Sequence, residues 1–147
     1  MHRSTRFTLA LLFLIATSSI VHADVCAPAK VVDLAVAGMG KTTAVLTFTD
    51  PGDDCSTGTA TSFEVRYSTS AITEANYYNA SVAGTHAPLG SNGTADCWPL
   101  PVNTLTCGSH LYYFAITFTD ASGNRSPVSN SPSGTTHSCV SAEVECP

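Results

Sequence analysis

The chain has 147 residues, six cysteines and a formal net charge of −5, with six Lys and Arg against eleven Asp and Glu. Its length suits one domain. Its acidic balance disfavours nucleic acid and anionic lipid as partners, because both attract basic patches.

The first residues have the pattern of a secretory signal peptide. A basic start with Arg3 and Arg6 precedes the apolar run of residues 9–16 and the small or aliphatic residues 21–23. This pattern predicts cleavage after Ala23. The alternative of a retained anchor is disfavoured, because the apolar run is shorter than the roughly 20 residues that span a bilayer. Asp24 argues against lipidation of Cys26. We therefore expect a secreted or periplasmic protein without a membrane anchor after cleavage.

The six cysteines all follow the predicted cleavage site. Removing 23 of the 147 residues leaves 124, with four basic and eleven acidic side chains and a net charge of −7. An even number of cysteines behind a signal peptide predicts a disulfide framework. No spacing of a zinc site is present. Six cysteines allow fifteen pairings, and the sequence alone selects none of them. The cysteines are Cys26, Cys55, Cys97, Cys107, Cys139 and Cys146.

Seven strand-like segments follow in chain order, separated by clusters of Gly, Pro, Asp and Asn. They are residues 30–37, 42–49, 62–70, a weaker 77–83, 94–98, 111–119 and 126–135. Gly38 and Gly40 are expected to end the first, and residues 84–93 are expected to form a long polar loop. No segment has a helical period. Short, evenly spaced strands predict an all-β sandwich of two antiparallel sheets packed face to face.

Apolar residues at alternate positions predict which side chains form the core. In residues 111–119 the even-numbered positions are large and apolar or aromatic, whereas the odd-numbered ones include Ala and Thr. The side chains expected inward include Val32, Leu34 and Val36, then Phe48, Phe63 and Tyr67, and finally Tyr112, Phe114, Ile116 and Phe118.

The order and spacing of several motifs resemble those of a fibronectin type III domain of the secreted bacterial kind. The resemblance covers residues 28–136 and implies an immunoglobulin-like sandwich, with residues 24–136 as the domain and residues 137–147 as a cysteine-containing tail. Cys107 stands where the family commonly has proline. The matching features are Val31, Asp33 and Leu34, the loop 51–54 (PGDD), the strand motif 65–68 (VRYS), Tyr112 at the tyrosine corner, and the final turn 120–126.

The six cysteines are not general to this family, but the topology that the resemblance implies leads to a hypothesis for their pairing. In this topology the start of the chain lies near the loop after the second strand, so Cys26 can reach Cys55. Two further bridges would each close a short loop, one across a crossover connection and one within the tail. The implied bridges are Cys26–Cys55, Cys97–Cys107 and Cys139–Cys146.

Calcium binding is the only metal chemistry that the loops suggest. Asp50, Asp53 and Asp54 crowd one loop, and Asp120 is expected at the same end of the sandwich. Oxygen-rich loops suit calcium, but the spacing matches no EF-hand, and aspartate is common in turns. We therefore predict no metal site and no cofactor.

The histidines do not form a recognisable catalytic motif. His86, His110 and His137 fall in or beside polar loops, and the chain has no Gly-x-Ser-x-Gly elbow and no His-rich metal motif. Surface positions are favoured for all three. We therefore predict no catalytic residue and no enzyme.

Tyr77, Tyr78 and Trp98 are the candidate binding surface. They lie near expected strand edges, where exposed aromatics stack on sugars or anchor protein partners. The alternative is that at least one of them packs in the sandwich. An exposed edge strand is a second way to accept a partner.

These observations together predict a secreted, non-enzymatic interaction or adhesion module whose partner is a protein or a polysaccharide. A carbohydrate-associating accessory is the first alternative, which exposed, coplanar aromatic rings would favour. A small secreted enzyme is the second, which requires a site that no motif reveals. The fold does not choose among them, because it supports many unrelated functions.

Overall fold

Alternating apolar side chains build two antiparallel sheets in the computed structural model, which describes residues 26–147. The predicted signal peptide, residues 1–23, lies outside the described residues. The strands are β1 (Ala35–Met39), β2 (Ala44–Thr49), β3 (Ser62–Ser68), β4 (Ser81–His86), β5 (Ala95–Pro99), β6 (Leu111–Thr119) and β7 (Ser133–Thr135). One sheet has the order β1-β2-β5 and the other β4-β3-β6-β7. These orders confirm an immunoglobulin-like sandwich with fibronectin type III topology.

The first strand begins later than its sequence pattern predicts. It runs from Ala35 through Gly38 to Met39, with an irregularity in the register between Val36 and Gly38. The preceding residues are held by a side chain instead of a strand: the amide of Asn130 bonds the N–H and the carbonyl of Leu34, at 3.0 and 2.7 Å. The predicted alternation is wrong for Val32, which is 73% exposed, whereas Leu34 is buried and Val36 packs partly buried against the core.

The fourth predicted strand starts as a helix. Tyr77–Asn79 form a short 3₁₀ helix, and β4 runs from Ser81 to His86, into the segment expected to be a loop.

The seventh strand is shorter than predicted because serine hydroxyls, and not backbone carbonyls, accept hydrogen bonds from part of β6. The hydroxyls of Ser126 and Ser129 accept hydrogen bonds from the N–H groups of Phe118 and Ile116, at 2.9 and 3.0 Å. Pro127 and Pro132 lie in the same segment, and proline has no N–H to donate to a ladder. Regular pairing with β6 is consequently confined to Ser133–Thr135.

The main core lies between the sheets and contains the predicted aromatic residues. Phe63 packs against Phe48 and Phe118, with ring centroids 5.2 and 5.5 Å apart. Tyr67 is partly buried against this core. The hydroxyl of Tyr112 accepts a hydrogen bond from the N–H of Thr106 at 3.2 Å, as expected of a tyrosine corner.

A second, smaller core covers the outer face of the four-stranded sheet. Residues 69–80 cross that face and bury Ala115 and Thr117 of β6 beneath Ile72 and Tyr77. The hydroxyls of Tyr77 and Thr117 are 2.8 Å apart and hydrogen-bonded. Burial raises the pKa of Tyr77 to about 12. Tyr77 is therefore a core residue of the side opposite the main core.

The C-terminal residues cross the outer face of the three-stranded sheet, and we call residues 139–146 the strap. The N–H of Lys41 donates to the carbonyl of Ala142 at 3.3 Å. Val144 lies 3.7 Å from where a Cβ of Gly38 would stand, and Glu143 occupies the space beside Gly40. Gly40, which is expected only to end β1, therefore also lets the strap approach the sheet, whereas a Cβ at Gly38 would make ordinary contact with Val144.

The disulfides confirm one expected bridge and correct two. Cys26 is joined to Cys55, as the family topology implies. The expected bridges Cys97–Cys107 and Cys139–Cys146 are wrong, because the strap carries its last cysteine back across the sheet to β5. The carbonyl of His137 also accepts a hydrogen bond from Gly108, which brings the start of the strap beside the loop before β6. The observed bridges are Cys97–Cys146 and Cys107–Cys139, with Cα atoms 6.0 and 5.0 Å apart.

Candidate functional site

The structure does not place the three candidate aromatic residues on one exposed surface. Tyr77 is fully buried, and Trp98 is 7% exposed at the edge of the main core. Tyr78 is 66% exposed. Its ring meets that of Tyr77 edge-on, at 82°, so the two do not form a coplanar platform. The sequence expectation is corrected for Tyr77 and Trp98, which are too large and apolar to be left outside when neighbouring segments can cover them.

Two arginines brace the Tyr77–Tyr78 pair. The guanidinium carbons of Arg66 and Arg125 lie 4.9 and 5.2 Å from the centroid of the Tyr77 ring. Arg66 pairs with Glu64 at 2.6 Å, and this hydrogen bond raises its pKa. Arg125 pairs with Glu74. The paired carboxylates offset both positive charges, so the cluster stabilises the segment over the sheet and does not present a basic patch.

The aspartates expected at one end of the sandwich have separate local roles. Asp120 closes the turn after β6 by accepting hydrogen bonds from the N–H groups of Ser122 and Asn124, at 2.9 and 2.7 Å. Burial raises the pKa of Asp120, but these hydrogen bonds outweigh it and the net pKa is lowered. Within residues 26–147 no group of three or more His, Cys, Asp or Glu is placed to hold a metal ion.

Asp50 is a buried carboxylate that ties down the 87–94 loop. Its Oδ2 accepts a hydrogen bond from the N–H of Gly90 at 3.2 Å, while the nearby Asp96 accepts one from Leu89. The other oxygen of Asp50, Oδ1, has no hydrogen-bond partner among the described residues. Burial, together with the charge of Asp96, raises the pKa of Asp50 to about 6.

We expect Asp50 to make stability depend on pH. The pKa of Asp50 is about 6 in the folded chain against an ordinary value of 3.8, so the folded chain holds this proton more tightly than the unfolded chain. The resulting stabilisation is complete below about pH 4 and is lost as the pH rises through about 6. Relative to Asp50→Asn, the wild type should lose on the order of 3 kcal/mol of unfolding free energy between about pH 4 and pH 7. Urea unfolding of both proteins across this range measures the difference.

Asp120→Asn is the control for this pH dependence. The pKa of Asp120 is lowered by folding, so its contribution is present above the unfolded pKa and is lost as the pH falls. The difference between wild type and Asp120→Asn should therefore stay nearly constant between about pH 4 and pH 7, and it should change only when the pH falls below about 4, with wild type then losing stability. A pH-independent difference between wild type and Asp50→Asn would contradict the assignment.

A groove of about 540 Å³ lies where the strap passes the edge of the three-stranded sheet. This volume falls in the range of roughly 300–1,000 Å³ that is typical of ligand sites. β5 and the segment after it supply most of the apolar lining, the end of β4 supplies His86, and the strap supplies one wall. The apolar lining consists of Trp98, Pro99, Leu100, Pro101, Val102 and Val144. Sequence reasoning found Trp98 but missed the groove, because residues more than 40 positions apart form it.

Two carboxylates of the strap line the groove. Glu143 is held in place by hydrogen bonds from the hydroxyls of Thr42 and Thr43. Burial acts to raise the pKa of Glu143, but the hydrogen bonds from Thr42 and Thr43 outweigh it and the net pKa is lowered. Glu145 is exposed. Among the described residues that line the groove there is no Lys or Arg, so the charge of its lining is negative. Lys41, which lies outside the lining, interacts with Glu143 and offsets part of that charge.

The histidines lie at the surface, and one of them lines the groove. His86, His110 and His137 are all exposed. The ring of His86 packs against that of Trp98, with centroids 5.0 Å apart. The groove also contains Thr43, but its hydroxyl donates to Glu143.

No helix among residues 26–147 combines the length and the apolar character needed to cross a membrane.

Solved structures match this chain in fold at low sequence identity, while no protein-family model and no curated protein matches it. A crystal structure of titin domains A168–A170 is 18% identical, with a TM-score of 0.52, covering 76% of this chain and 32% of that one. The structure of titin kinase and its flanking domains is also 18% identical, with a TM-score of 0.52, covering 76% of this chain and 17% of that one. The fibronectin type III domain of human fibronectin type III domain containing protein 3 is 17% identical, with a TM-score of 0.48, over 76% and 88% of the chains. The likeness concerns the fold alone, and this chain spans a third or less of the titin structures.

Proposed function

We propose that the protein is a secreted, non-enzymatic interaction module that binds a protein partner through the groove beside the strap. The observation that carries this proposal is the groove itself, which combines apolar side chains with carboxylates. A fibronectin type III sandwich is a rigid frame on which such a surface is held in a defined shape. The three disulfides fit an oxidising environment, where bridges of this kind persist.

The alternative of a polysaccharide partner has less support. Sugar stacking uses exposed aromatic faces, and of the three candidate aromatics only Tyr78 offers one. The enzyme alternative would use His86, which shares the groove with Thr43 and Glu143. Thr43 and Glu143 are already joined by a hydrogen bond of 2.9 Å, and neither ion pair of the described residues includes His86.

A retention experiment tests the proposed function. Oxidised protein comprising residues 24–147 is immobilised and exposed to insoluble polysaccharides and to envelope or matrix protein extracts, with reduced, unfolded protein as control. We expect saturable retention of a protein by the oxidised form, weakened by Val102→Lys and unchanged by Tyr78→Ala. Retention on a polysaccharide that Tyr78→Ala abolishes would instead establish the carbohydrate alternative. Retention of neither class would contradict an interaction module.

A further inference from the structure

We propose, building on the function above, that the groove binds a peptide segment in which bulky apolar side chains are flanked by lysine or arginine. The groove presents the edge of Trp98 and the side chain of Val102, which is 61% exposed. The exposed side chain of Val102, beside the small uncovered edge of the otherwise buried indole, provides apolar area whose removal from water by a partner is favourable. An inserted apolar side chain is therefore the favoured central contact.

The charge of the groove selects the residues beside that apolar centre. Glu143 and Glu145 both line the strap wall, and the carboxylate of Glu143 is fixed by Thr42 and Thr43. A carboxylate that is already oriented loses little side-chain entropy when a cation approaches, so the pairing is stronger than at a mobile surface site. Opposite charges also increase the rate of encounter, whereas an acidic segment is repelled.

The edge of β5 favours insertion of side chains over addition of a strand. Strand addition requires backbone N–H donors along the exposed edge. Pro99 and Pro101 have none, and both lie in the wall of the groove. Recognition through side chains in the groove is therefore more favourable at this edge than extension of the sheet.

Trp98 allows binding to be measured directly, because it is the only tryptophan in the chain. The probe is the capped peptide Gly-Ser-Lys-Phe-Leu-Lys-Ser-Gly, which contains no tryptophan. One matched peptide replaces both lysines by glutamate, and another replaces Phe-Leu by Ser-Ser. Fluorescence titration of the oxidised protein should give saturable binding of the first peptide, at least about tenfold weaker binding of the acidic peptide, and no saturation with the serine peptide.

Matched variants locate the binding site. Val102→Lys and Glu145→Gln should each weaken binding of the basic peptide about three- to fivefold. Val32→Lys is the control, because Val32 is also exposed, lies outside the groove, and its substitution changes the net charge by the same amount as either groove variant. Val32→Lys should bind like the wild type. Glu145→Gln keeps the test decisive if Val102→Lys fails to fold.

Three outcomes of the peptide titrations would overturn the inference. They are equal affinity for the basic and acidic peptides, binding that the groove variants do not weaken, and no binding of the basic peptide up to millimolar concentration. Sedimentation equilibrium tests whether a second copy of this chain occupies the groove. A wild-type dimer that Val102→Lys abolishes would also overturn the inference of a basic peptide ligand. A further outcome separates this inference from the proposed function: wild type and Val102→Lys retain a protein partner equally, while no peptide binds. The interaction function would then stand, but the groove would not be its binding surface, and the inferred ligand chemistry would be wrong.

Discussion

Replacing Tyr77 by alanine should lower the free energy of unfolding by about 3–5 kcal/mol, the range for loss of a fully buried aromatic side chain. The ring fills the second core over β6, and its hydroxyl bonds that of Thr117 at 2.8 Å and the carbonyl of Glu64 at 3.1 Å. The substitution leaves a cavity and an unsatisfied buried hydroxyl. Urea unfolding followed by the fluorescence of Trp98 measures the loss.

Tyr78 is the matched control for Tyr77. It is the neighbouring residue and the same amino acid, but its side chain is largely exposed and contacts the ring of Tyr77 and the guanidinium groups of Arg66 and Arg125 from outside. Tyr78→Ala should therefore cost less than about 1 kcal/mol. Equal effects of the two substitutions would mean that residues 69–80 do not cover the sheet.

Replacing Cys97 and Cys146 together by serine should lower the free energy of unfolding by about 2–4 kcal/mol. The bridge joins residues 49 positions apart and fixes the end of the strap to β5. Without it the strap keeps Cys107–Cys139 at its start and the hydrogen bonds of Glu143. Unfolding in urea compares the double variant with the oxidised wild type.

Limited proteolysis separates release of the strap from general loss of stability. A glutamate-specific protease should cleave the double variant after Glu143 or Glu145 faster than the wild type. Cleavage at Glu64, which lies within β3, should remain slow in both proteins at low temperature. Identical digestion of the strap in the two proteins would show that the bridge does not hold it.

The central strands could be predicted from sequence because their side chains alternate without interruption. Residues 111–119 form β6 with the predicted bounds, and Phe114, Ile116 and Phe118 are completely buried. β3 pairs with β6 along its whole length, which places Phe63 opposite Phe118. In such strands the period of two and the hydrophobic effect lead to the same arrangement.

The second core could not be predicted because local pattern and tertiary contact disagree there. The odd-numbered positions of β6 include Ala115 and Thr117, which are typical of a solvated face. They are buried because a distant segment folds over them and inserts Tyr77. Nothing in the local sequence of β6 indicates that residues 69–80 cover this face.

The groove could not be predicted for a related reason. The family resemblance ends near residue 136 and says nothing about where the strap runs. From sequence, the simplest expectation is that bridges join neighbouring cysteines and close short loops. The observed bridges instead require the chain to return across β1 and β2 to β5. Gly40 carries a local signal, since a side chain there would collide with Glu143 of the strap.

A disulfide map of the unreduced protein tests most directly the claim that the strap crosses the sheet and forms the groove. Proteolytic fragments of the oxidised protein, identified by mass spectrometry, should contain Cys97 joined to Cys146 and Cys107 joined to Cys139. Cys97 joined to Cys107, with Cys139 joined to Cys146, would contradict it, because the end of the strap would then have no attachment to β5.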